Sequence, residues 1–222
     1  MTIDLRALIF DLDGVIADTN APHYASWERL SQDESIPFSR TVYTRMMGLP
    51  RRGCLDVFLG GRPIDEDIAQ EFLDRKNTYF LELLGQFTPA DTYPGIRELI
   101  EEGRAADLKI GLGSSSANAK RVLKTLGLYD LFDTIGDGTT VARHKPAPDI
   151  FIWAAARLGV TAAQAIVFED SEAGVAAGRA GKFWVVGIGD VLVTDAHIAV
   201  PSLQGIGVRD LTERLELAAE KN

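Results

Sequence analysis

A short apolar run near the start of the chain, which leads directly into two aspartates and a glycine, constrains the fold more than any other stretch. Residues 7–10 (Ala-Leu-Ile-Phe) include no polar side chain. Such a run predicts a strand buried on both faces, as in a parallel sheet. Gly14 allows the backbone to turn sharply where the strand ends. Because open α/β sheets bind ligands at that edge, we expect Asp11 and Asp13 to lie together in a binding crevice.

Asp11 and Asp13 have two alternative interpretations. Neighbouring carboxylates repel each other unless a cation offsets their charge, and hard divalent cations prefer carboxylate oxygen. With a metal bound, one aspartate can attack phosphorus while the other carries protons. The alternative is a solvated turn, in which Asp and Gly are also common. This stretch alone leaves both interpretations open.

Composition and charge exclude several classes of protein. The chain has 222 residues and a formal net charge of −9, whereas a nucleic-acid-binding protein needs a basic surface. The single cysteine, Cys54, cannot form an internal disulfide and fits a reducing compartment. No apolar run approaches the length of a membrane span, and the N-terminus lacks the pattern of a secretory signal. We therefore predict a cytoplasmic protein with neither nucleic acid nor membrane as a partner.

The periodicity of apolar residues divides the chain into two predicted domains. Residues 18–88 show helical spacing and no convincing strand, whereas strands and helices alternate from residue 89 onward. This alternation predicts a doubly wound parallel sheet. We therefore predict an α/β core domain (residues 1–17 and 89–222) with a small all-helical cap domain (residues 18–88) inserted after the first strand. The other predicted strands are 108–112, 132–136, 165–168 and 183–188, and the predicted helices include 21–31, 66–84, 119–126, 149–158, 173–180 and 211–220.

A serine-rich turn, residues 113–118, links a predicted strand to a predicted helix. Hydroxyls and free backbone amides at a helix N-terminus can bind an anion. Ser114, Ser115, Ser116 and Asn118 are the candidates for this role. Ser and Asn are also preferred N-cap residues, so the turn taken alone favours a simple helix cap.

Lys145 is followed by Pro146 and Pro148 just before a predicted helix. Prolines fix the backbone, so this lysine is held at a defined position. A fixed ammonium suits a phosphate or an acyl-phosphate. The alternative, a surface lysine at the start of a helix, is disfavoured by the two prolines.

A second acidic pair, Glu169 and Asp170, follows the predicted strand 165–168. Together with Asp11 and Asp13, this pair would complete an all-oxygen site for Mg²⁺. Two acidic pairs, a rigid lysine and a serine turn are thus expected at one edge of the sheet. Their convergence favours a functional site over chance.

These motifs resemble those of the haloacid dehalogenase superfamily of phosphotransferases, in the same order along the chain. The motif residues are Asp11, Asp13, Ser114, Lys145 and the pair 169–170. The resemblance implies a haloacid-dehalogenase-like core, and the helical insert resembles the four-helix cap of that superfamily. Within it the chain is most similar to the β-phosphoglucomutase family. Further matching positions are residues 11–19, His23, Trp27, Gly48, Arg51, residues 75–77, residues 89–95 and residues 145–151.

The resemblance implies a role for each acidic residue at the sheet edge. Asp11 would be the nucleophile and would pass through an aspartyl-phosphate. Asp13 would be the general acid and base for the sugar hydroxyl. Mg²⁺ would be held by Asp11, the backbone carbonyl of Asp13 and Asp170, with Glu169 beside it.

The resemblance also implies how a sugar phosphate is bound. Ser114, the amide of Ser115 and Lys145 would hold the transferring phosphoryl group, and Arg51 would hold the distal phosphate. The full implied set of substrate- and phosphate-binding residues is Thr19, His23, Trp27, Gly48, Arg51, Lys76, Ser114, Ser115, Ser116, Asn118 and Lys145.

The cap residues in this set have alternatives from pattern alone. In the resemblance, His23 and Lys76 help to position Asp13 and the sugar as the cap closes. By pattern, His23 is equally well a packed helix residue and Lys76 a solvated charge. Packing within the cap is the favoured interpretation of Trp27.

The function implied by the resemblance is a Mg²⁺-dependent interconversion of β-glucose 1-phosphate and glucose 6-phosphate. A catalytic sugar bisphosphate would be the activating phosphodonor, and a monomer is expected because the cap must move freely. A sugar-phosphate phosphatase of the same superfamily is the alternative, and a non-catalytic phosphometabolite-binding protein is a more distant one. Cys54, Pro50 and Arg52 depart from the family pattern near Arg51, which affects the expected sugar and anomer more than the chemistry.

Overall fold

The computed structural model describes residues 2–189 and 195–220. Within these ranges strands alternate with helices, except that every element in residues 20–84 is helical and that no helix separates the last two strands in the described residues. No helix in the described ranges is long and apolar enough to cross a membrane. The strands are β1 (Ala7–Phe10), β2 (Lys109–Gly113), β3 (Thr134–Gly136), β4 (Ala165–Glu169), β5 (Trp184–Ile188) and β6 (Ile198–Val200). The helices are α1 (Asn20–Asp33), α2 (Arg40–Thr44), α3 (Arg51–Phe58), α4 (Glu66–Leu84), α5 (Ile96–Ala105), α6 (Ala119–Thr125), α7 (Asp149–Leu158), α8 (Glu172–Ala180) and α9 (Val208–Ala219), with short 3₁₀ helices at Pro89–Asp91, Tyr129–Leu131 and Ala162–Gln164.

The strands form one parallel sheet in the order β3-β2-β1-β4-β5-β6. Leu8 and Phe10 pack with α5, α6 and α9 on one face of the sheet, whereas Ala7 and Ile9 pack with α7 and α8 on the other. All four side chains of β1 are fully buried, which is the physical reason for its unbroken apolar run. The predicted doubly wound parallel sheet, with helices on both faces, is confirmed.

The main differences from the predicted elements lie at element ends. Strand β3 begins at Thr134, two residues after the predicted start, because Phe132 serves as the C-cap of the preceding 3₁₀ helix Tyr129–Leu131. Strand β6 was not predicted, since three residues are too few to show a period. Helix α9 begins at Val208, earlier than predicted. The backbone N–H of Val208, which has no partner within the helix, donates to Glu102 Oε1 at 3.1 Å. A cap from a residue this far away in sequence cannot be inferred from local pattern.

Helices α1 to α4 have a hydrophobic core of their own, which includes Trp27. Phe80 and Leu84, near the end of α4, pack instead into the core on one face of the sheet. An isolated bridge between Ala17 and Thr92 joins the segment before α1 to the segment before α5. The helical insert therefore contacts the sheet layer through α4. The predicted domain boundaries lie near this bridge and stay a prediction.

Candidate active site

A cavity lies at the carboxyl edge of the sheet, between the sheet and the helical insert. Both parts of the chain contribute to its walls. Thr19, Ser114 and Glu169 do not line the cavity and are buried behind its surface. The other predicted site residues do line it: Asp11, Asp13, His23, Trp27, Gly48, Arg51, Lys76, Ser115, Ser116, Asn118, Lys145 and Asp170.

Two glycines allow the acidic residues to approach one another. Gly14 adopts a φ of +83°, and a Cβ there would lie 1.8 Å from Asp170 Oδ2. Gly174, in α8, faces Glu169 so closely that a Cβ would lie 1.8 Å from Oε1 of that residue. Any larger side chain at either position would force the carboxylates apart, so both positions require glycine.

Lys145 is the buried cation of the site. Its side chain is 2% exposed, and Nζ donates to Asp11 Oδ1 at 2.6 Å and to Glu169 Oε1 at 2.5 Å. Burial opposes the charge on this ammonium, but the attraction of Asp11 and Glu169 outweighs burial and raises the pKa of Lys145 above its usual value. The lysine is therefore charged at neutral pH and held directly beside Asp11.

Full ionisation of the acidic cluster would give it more negative charge than Lys145 offsets. Asp11, Glu169 and Asp170 each have a carboxylate oxygen within 4.8 Å of the others. Burial raises the pKa of Asp11 to about 8 despite Lys145, and burial with repulsion from Glu169 raises that of Asp170 to about 9. A compact set of oxygen ligands with this unbalanced charge fits a hard divalent cation.

Within the cluster, Glu169 is oriented by the protein itself. While Oε1 accepts from Lys145, Oε2 accepts from the backbone N–H groups of Asp170 and Ser171 and from Ser171 Oγ, at 3.1, 3.2 and 3.0 Å. Both oxygens therefore have hydrogen-bond donors. Glu169 anchors Lys145 and the end of β4, and Asp11 and Asp170 remain the carboxylates that face the cavity.

Binding of Mg²⁺ is expected to release protons. At pH 7 Asp11 and Asp170 are largely protonated in the metal-free protein, because their pKa values lie near 8 and 9. Binding should release between about one and two protons, and affinity should increase as the pH rises toward 9. Calorimetric titration at pH 7 in two buffers of different ionisation enthalpy measures this release. Equal heats in the two buffers would contradict the raised pKa values.

The same pKa values predict how the stability of the metal-free protein depends on pH. The folded-state pKa of Asp11 lies above the ordinary 3.8, so ionisation is less favourable in the folded than in the unfolded chain. The contribution of Asp11 to the free energy of unfolding should therefore fall as the pH rises from about 4 to about 8. Saturating Mg²⁺ should reduce this slope, because the cation offsets the charge of the ionised carboxylates.

Asp13 lies at the end of a chain of polar contacts that begins on α4. Lys76 Nζ donates to His23 Nδ1 at 2.7 Å, and His23 Nε2 lies 3.7 Å from Asp13 Oδ1. When Lys76 is charged it can only donate, and the His23 proton then resides on Nε2 and faces Asp13. Thr19 Oγ1 donates to the same Asp13 oxygen at 2.5 Å. The contacts orient the Asp13 carboxyl toward the cavity.

Burial determines the charge states along this chain. It lowers the pKa of Lys76 to about 7, and burial together with Lys76 lowers the pKa of His23 well below its usual value. His23 is therefore neutral at pH 7. Its ring also stacks on Phe80 at 4.1 Å between centroids, so His23 is both packed and part of the site. Lys76 is 8% exposed, which contradicts the alternative of a solvated charge.

The serine turn is largely held by its own hydrogen bonds. Ser114 Oγ accepts from the backbone N–H of Ser116, and Ser116 Oγ accepts from that of Asn118, at 3.0 and 3.2 Å. Ser115 Oγ instead donates to the carbonyl of Gly48 at 2.9 Å, across to the helical insert. The hydroxyls of Ser114 and Ser116 therefore shape the turn, and Ser115 connects it to the helical insert. The N-cap residue of α6 is Asn118, whose side chain makes no capping hydrogen bond, so the simple helix cap is not what the turn provides.

Trp27 has two kinds of neighbour. It is 3% exposed and packs on Phe58 at 5.0 Å between ring centroids, inside the helical insert. Its ring also lies 5.5 Å from Lys76 Nζ at the cavity wall. Trp27 therefore packs within the core of the insert, as the favoured interpretation from pattern predicted, and also lines the cavity.

Several cavity residues were not predicted as site residues. Asn20 Nδ2 lies 3.5 Å from Asp170 Oδ2, and Tyr43 donates its hydroxyl to Asn20 Oδ1 at 3.2 Å. Both lie in helices whose sequence indicates only amphipathic packing, so no local signal marks them. Cys54 donates to the carbonyls of Met46 and Leu49 at 3.4 and 3.5 Å, and burial raises its pKa to about 11. This thiol supports the loop that precedes α3.

Comparisons with known proteins agree with this geometry. The sequence matches the family model of haloacid dehalogenase-like hydrolases over residues 5–182. It is 41% identical over 189 residues to a β-phosphoglucomutase of Bacillus subtilis, covering 83% of this chain and 84% of that protein. It is also 30% identical over 180 residues to a phosphorylated carbohydrates phosphatase of Thermotoga maritima, covering 79% of this chain and 81% of the relative.

A solved structure resembles the whole fold. The crystal structure of a β-phosphoglucomutase from Clostridium difficile superposes with a TM-score of 0.93 at 32% identity, covering 97% of this chain and 99% of that one. The parallel sheet, the inserted helices and the acidic sheet edge thus occur together with a family match that spans most of the chain. The chain belongs to the haloacid dehalogenase-like hydrolase family.

Proposed function

We propose that this protein interconverts β-glucose 1-phosphate and glucose 6-phosphate through β-glucose 1,6-bisphosphate. The observation that carries the proposal is a cation at each of two places in one cavity, Lys145 beside Asp11 and Arg51 beside Asn118. A molecule with phosphates at both ends needs such a pair. The relative of Bacillus subtilis that bears the name β-phosphoglucomutase supports the same reaction.

Asp11 is the proposed nucleophile. Its carboxylate attacks phosphorus to form an aspartyl-phosphate, and the sugar oxygen leaves. Lys145, 2.6 Å from Asp11 Oδ1, supplies positive charge where the oxygens of the transferring phosphoryl group gather. A Mg²⁺ ion held by Asp11, Asp170 and the Asp13 backbone carbonyl would neutralise the remaining charge and keep Asp11 ionised.

Asp13 is the proposed general acid and base. The leaving sugar oxygen takes a proton from its carboxyl, and Asp13 takes a proton back when the other hydroxyl of the sugar attacks. Burial raises the pKa of Asp13, which favours the protonated form that the first step requires. Thr19 and His23 keep this carboxyl in place.

Exclusion of water separates this reaction from hydrolysis. An aspartyl-phosphate that meets water releases phosphate, so a mutase must close its cavity. Contacts between Ser115 and Gly48 and between Arg51 and Asn118 join the sheet layer to the helical insert over the cavity. The second candidate function is a sugar-phosphate phosphatase, which the name of the Thermotoga maritima relative favours.

One assay separates the two functions. The protein is incubated with Mg²⁺, β-glucose 1-phosphate and a trace of the bisphosphate, and glucose 6-phosphate and free phosphate are read together. We expect glucose 6-phosphate to form faster than free phosphate by about 10³-fold or more, because closure excludes water from the aspartyl-phosphate. Reactions without the bisphosphate serve as the control and should show a lag. Free phosphate as the main product would identify a phosphatase instead.

The remaining sequence-based predictions belong to the same proposal. The protein acts as a cytoplasmic monomer on small sugar phosphates, with a cap formed by residues 18–88. Binding without catalysis is disfavoured because a binding protein needs neither the nucleophile Asp11 nor the acid and base Asp13.

A further inference from the structure

Helix α4 presents two consecutive side chains to two different parts of the cavity. Lys76 contacts His23 in the chain that leads to Asp13, and Asn77 contacts Arg51. Successive residues of an α-helix point about 100° apart, so neighbours in sequence can serve separate groups. Asn77 is therefore the residue of α4 that contacts Arg51 in the cavity.

Asn77, Arg51 and Asn118 are joined pairwise by hydrogen bonds that form a closed triangle. Asn77 Oδ1 accepts from Arg51 Nη2 at 2.7 Å and from Asn118 Nδ2 at 2.9 Å. Arg51 Nη2 also donates to Asn118 Oδ1 at 3.2 Å. Because a guanidinium can only donate, both amide oxygens must face Arg51, which fixes the orientation of both amides. The triangle joins α3 and α4 of the insert to the start of α6.

Arg51 differs from the two lysines of the cavity. Lys145 is bound by two carboxylates, and Lys76 donates to a buried imidazole. Among the described residues, Arg51 has no carboxylate within ion-pair distance, and its side chain donates to the neutral amides of Asn77 and Asn118. Its positive charge therefore remains available to an anion.

Neutral partners can orient a cation without neutralising it. An arginine on a helix surface loses side-chain entropy when it binds an anion. Hydrogen bonds that already hold the guanidinium reduce that cost, which is the general benefit of preorganisation. The Asn77 carbonyl does this for Arg51, and through its second hydrogen bond, from Asn118, it also contacts the sheet layer.

We propose that Asn77 is a positioning residue that sets the preference of this site for molecules with an anion at both ends. Its side-chain carbonyl orients Arg51 and ties that orientation to the docked position of the insert on the serine turn. The inference rests on the proposed function only in that Arg51 binds the second anion; it does not require that the reaction be an isomerisation.

The test compares two probes that differ in one phosphate, hexane-1,6-diol bisphosphate and hexyl phosphate. Their dissociation constants are measured by calorimetry with Mg²⁺ present, for the parent protein and for Asn77→Ala, Asn77→Asp and Thr78→Ala. Thr78 is the matched control, since it is exposed on the same helix and its hydroxyl donates to the carbonyl of Asp74.

Asn77→Ala should weaken bisphosphate binding about tenfold and leave hexyl phosphate within about twofold, because with Mg²⁺ present the single phosphate of hexyl phosphate is expected to bind beside Lys145 and to leave Arg51 without an anion. Asn77→Asp should weaken bisphosphate binding further, because a carboxylate neutralises Arg51 while it keeps the acceptor. Thr78→Ala should change neither constant. Equal losses for both probes would indicate a merely structural role and overturn the proposal. Unchanged constants, or a parent protein with no preference for the bisphosphate, would also overturn it.

The outcome is independent of the reaction that the enzyme performs. A protein that releases phosphate from β-glucose 1-phosphate but binds the bisphosphate through Asn77 would refute the isomerase and keep this inference. An isomerase whose bisphosphate affinity is unchanged by Asn77→Ala would support the proposed function and refute this inference.

Discussion

Replacement of Asp11 by Asn is expected to reduce turnover of phosphate esters by at least about 10⁴-fold while the protein stays folded. The amide has the shape of the carboxyl but cannot form the acyl-phosphate. Its oxygen can still accept the hydrogen bond that Lys145 donates to Asp11 Oδ1. Loss of activity should therefore come from lost chemistry and not from collapse of the site.

Stability is the second readout for this variant. The raised pKa of Asp11, due mainly to its burial, means that an ionised carboxylate costs free energy in the metal-free fold. The neutral amide of the variant avoids this cost, and Asn77 and the other cavity residues are unchanged. We therefore expect Asp11→Asn to unfold at or above the temperature of the parent protein at pH 8, as measured by circular dichroism. Mg²⁺ should stabilise it less than the parent.

Asp18→Asn is the matched control for the Asp11 variant. Asp18 is exposed, lies on the same segment and accepts from the backbone N–H of Ala21 at 3.1 Å. Its replacement should keep activity near the parent value. If Asp11→Asn retained more than a hundredth of the parent turnover, the aspartyl-phosphate mechanism would be wrong.

Replacement of Lys145 by Met is expected to destabilise the metal-free protein by about 3–5 kcal/mol and to abolish activity. Met fills the volume of the lysine stem but leaves Asp11 and Glu169 without a counter-charge, and Glu169 is fully buried. Protonation of these carboxyls limits the cost at low pH. The loss should therefore be larger at pH 8 than at pH 6, in urea unfolding followed by circular dichroism.

Two further variants make the Lys145 result specific. Arg143→Met removes a cation only two residues away, whose side chain is 76% exposed and pairs with Asp149; it should cost less than about 1 kcal/mol. The double variant Lys145→Met with Glu169→Gln should recover part of the lost stability and none of the activity. A Lys145→Met protein as stable as the parent at pH 8 would show that the buried charges are balanced by other groups.

Much of the fold could be predicted because its signals are local. The apolar run 7–10 identifies β1, since strands buried on both faces admit no polar residue. The predicted helix 66–84 is observed as α4 (Glu66–Leu84), because nineteen residues give several helical periods. Strand β6 offers three residues and no period, so only pairing with β5 defines it.

The sequence by itself determined which groups gather at the sheet edge. Strand ends marked by Asp11, Asp13, Glu169 and Asp170 must meet there in a parallel sheet, whatever the details of packing. Pro146 and Pro148 indicate that Lys145 is held at a defined position, whereas its contact with Asp11 results from the tertiary structure. These inferences depend on the periodicity of apolar residues and on the order of strands and helices, both of which can be recognised from residues close together in the sequence.

Only the tertiary structure decided which group contacts which. Lys145 bonds Asp11 across 134 positions of sequence, Lys76 bonds His23 across 53, and Arg51 bonds Asn118 across 67. Such pairings, and the burial that sets the pKa values of Asp11 and Lys76, arise only when separate elements pack together. Local pattern carries no information on them, because the free energy of a buried contact depends on neighbours that the chain brings together from afar.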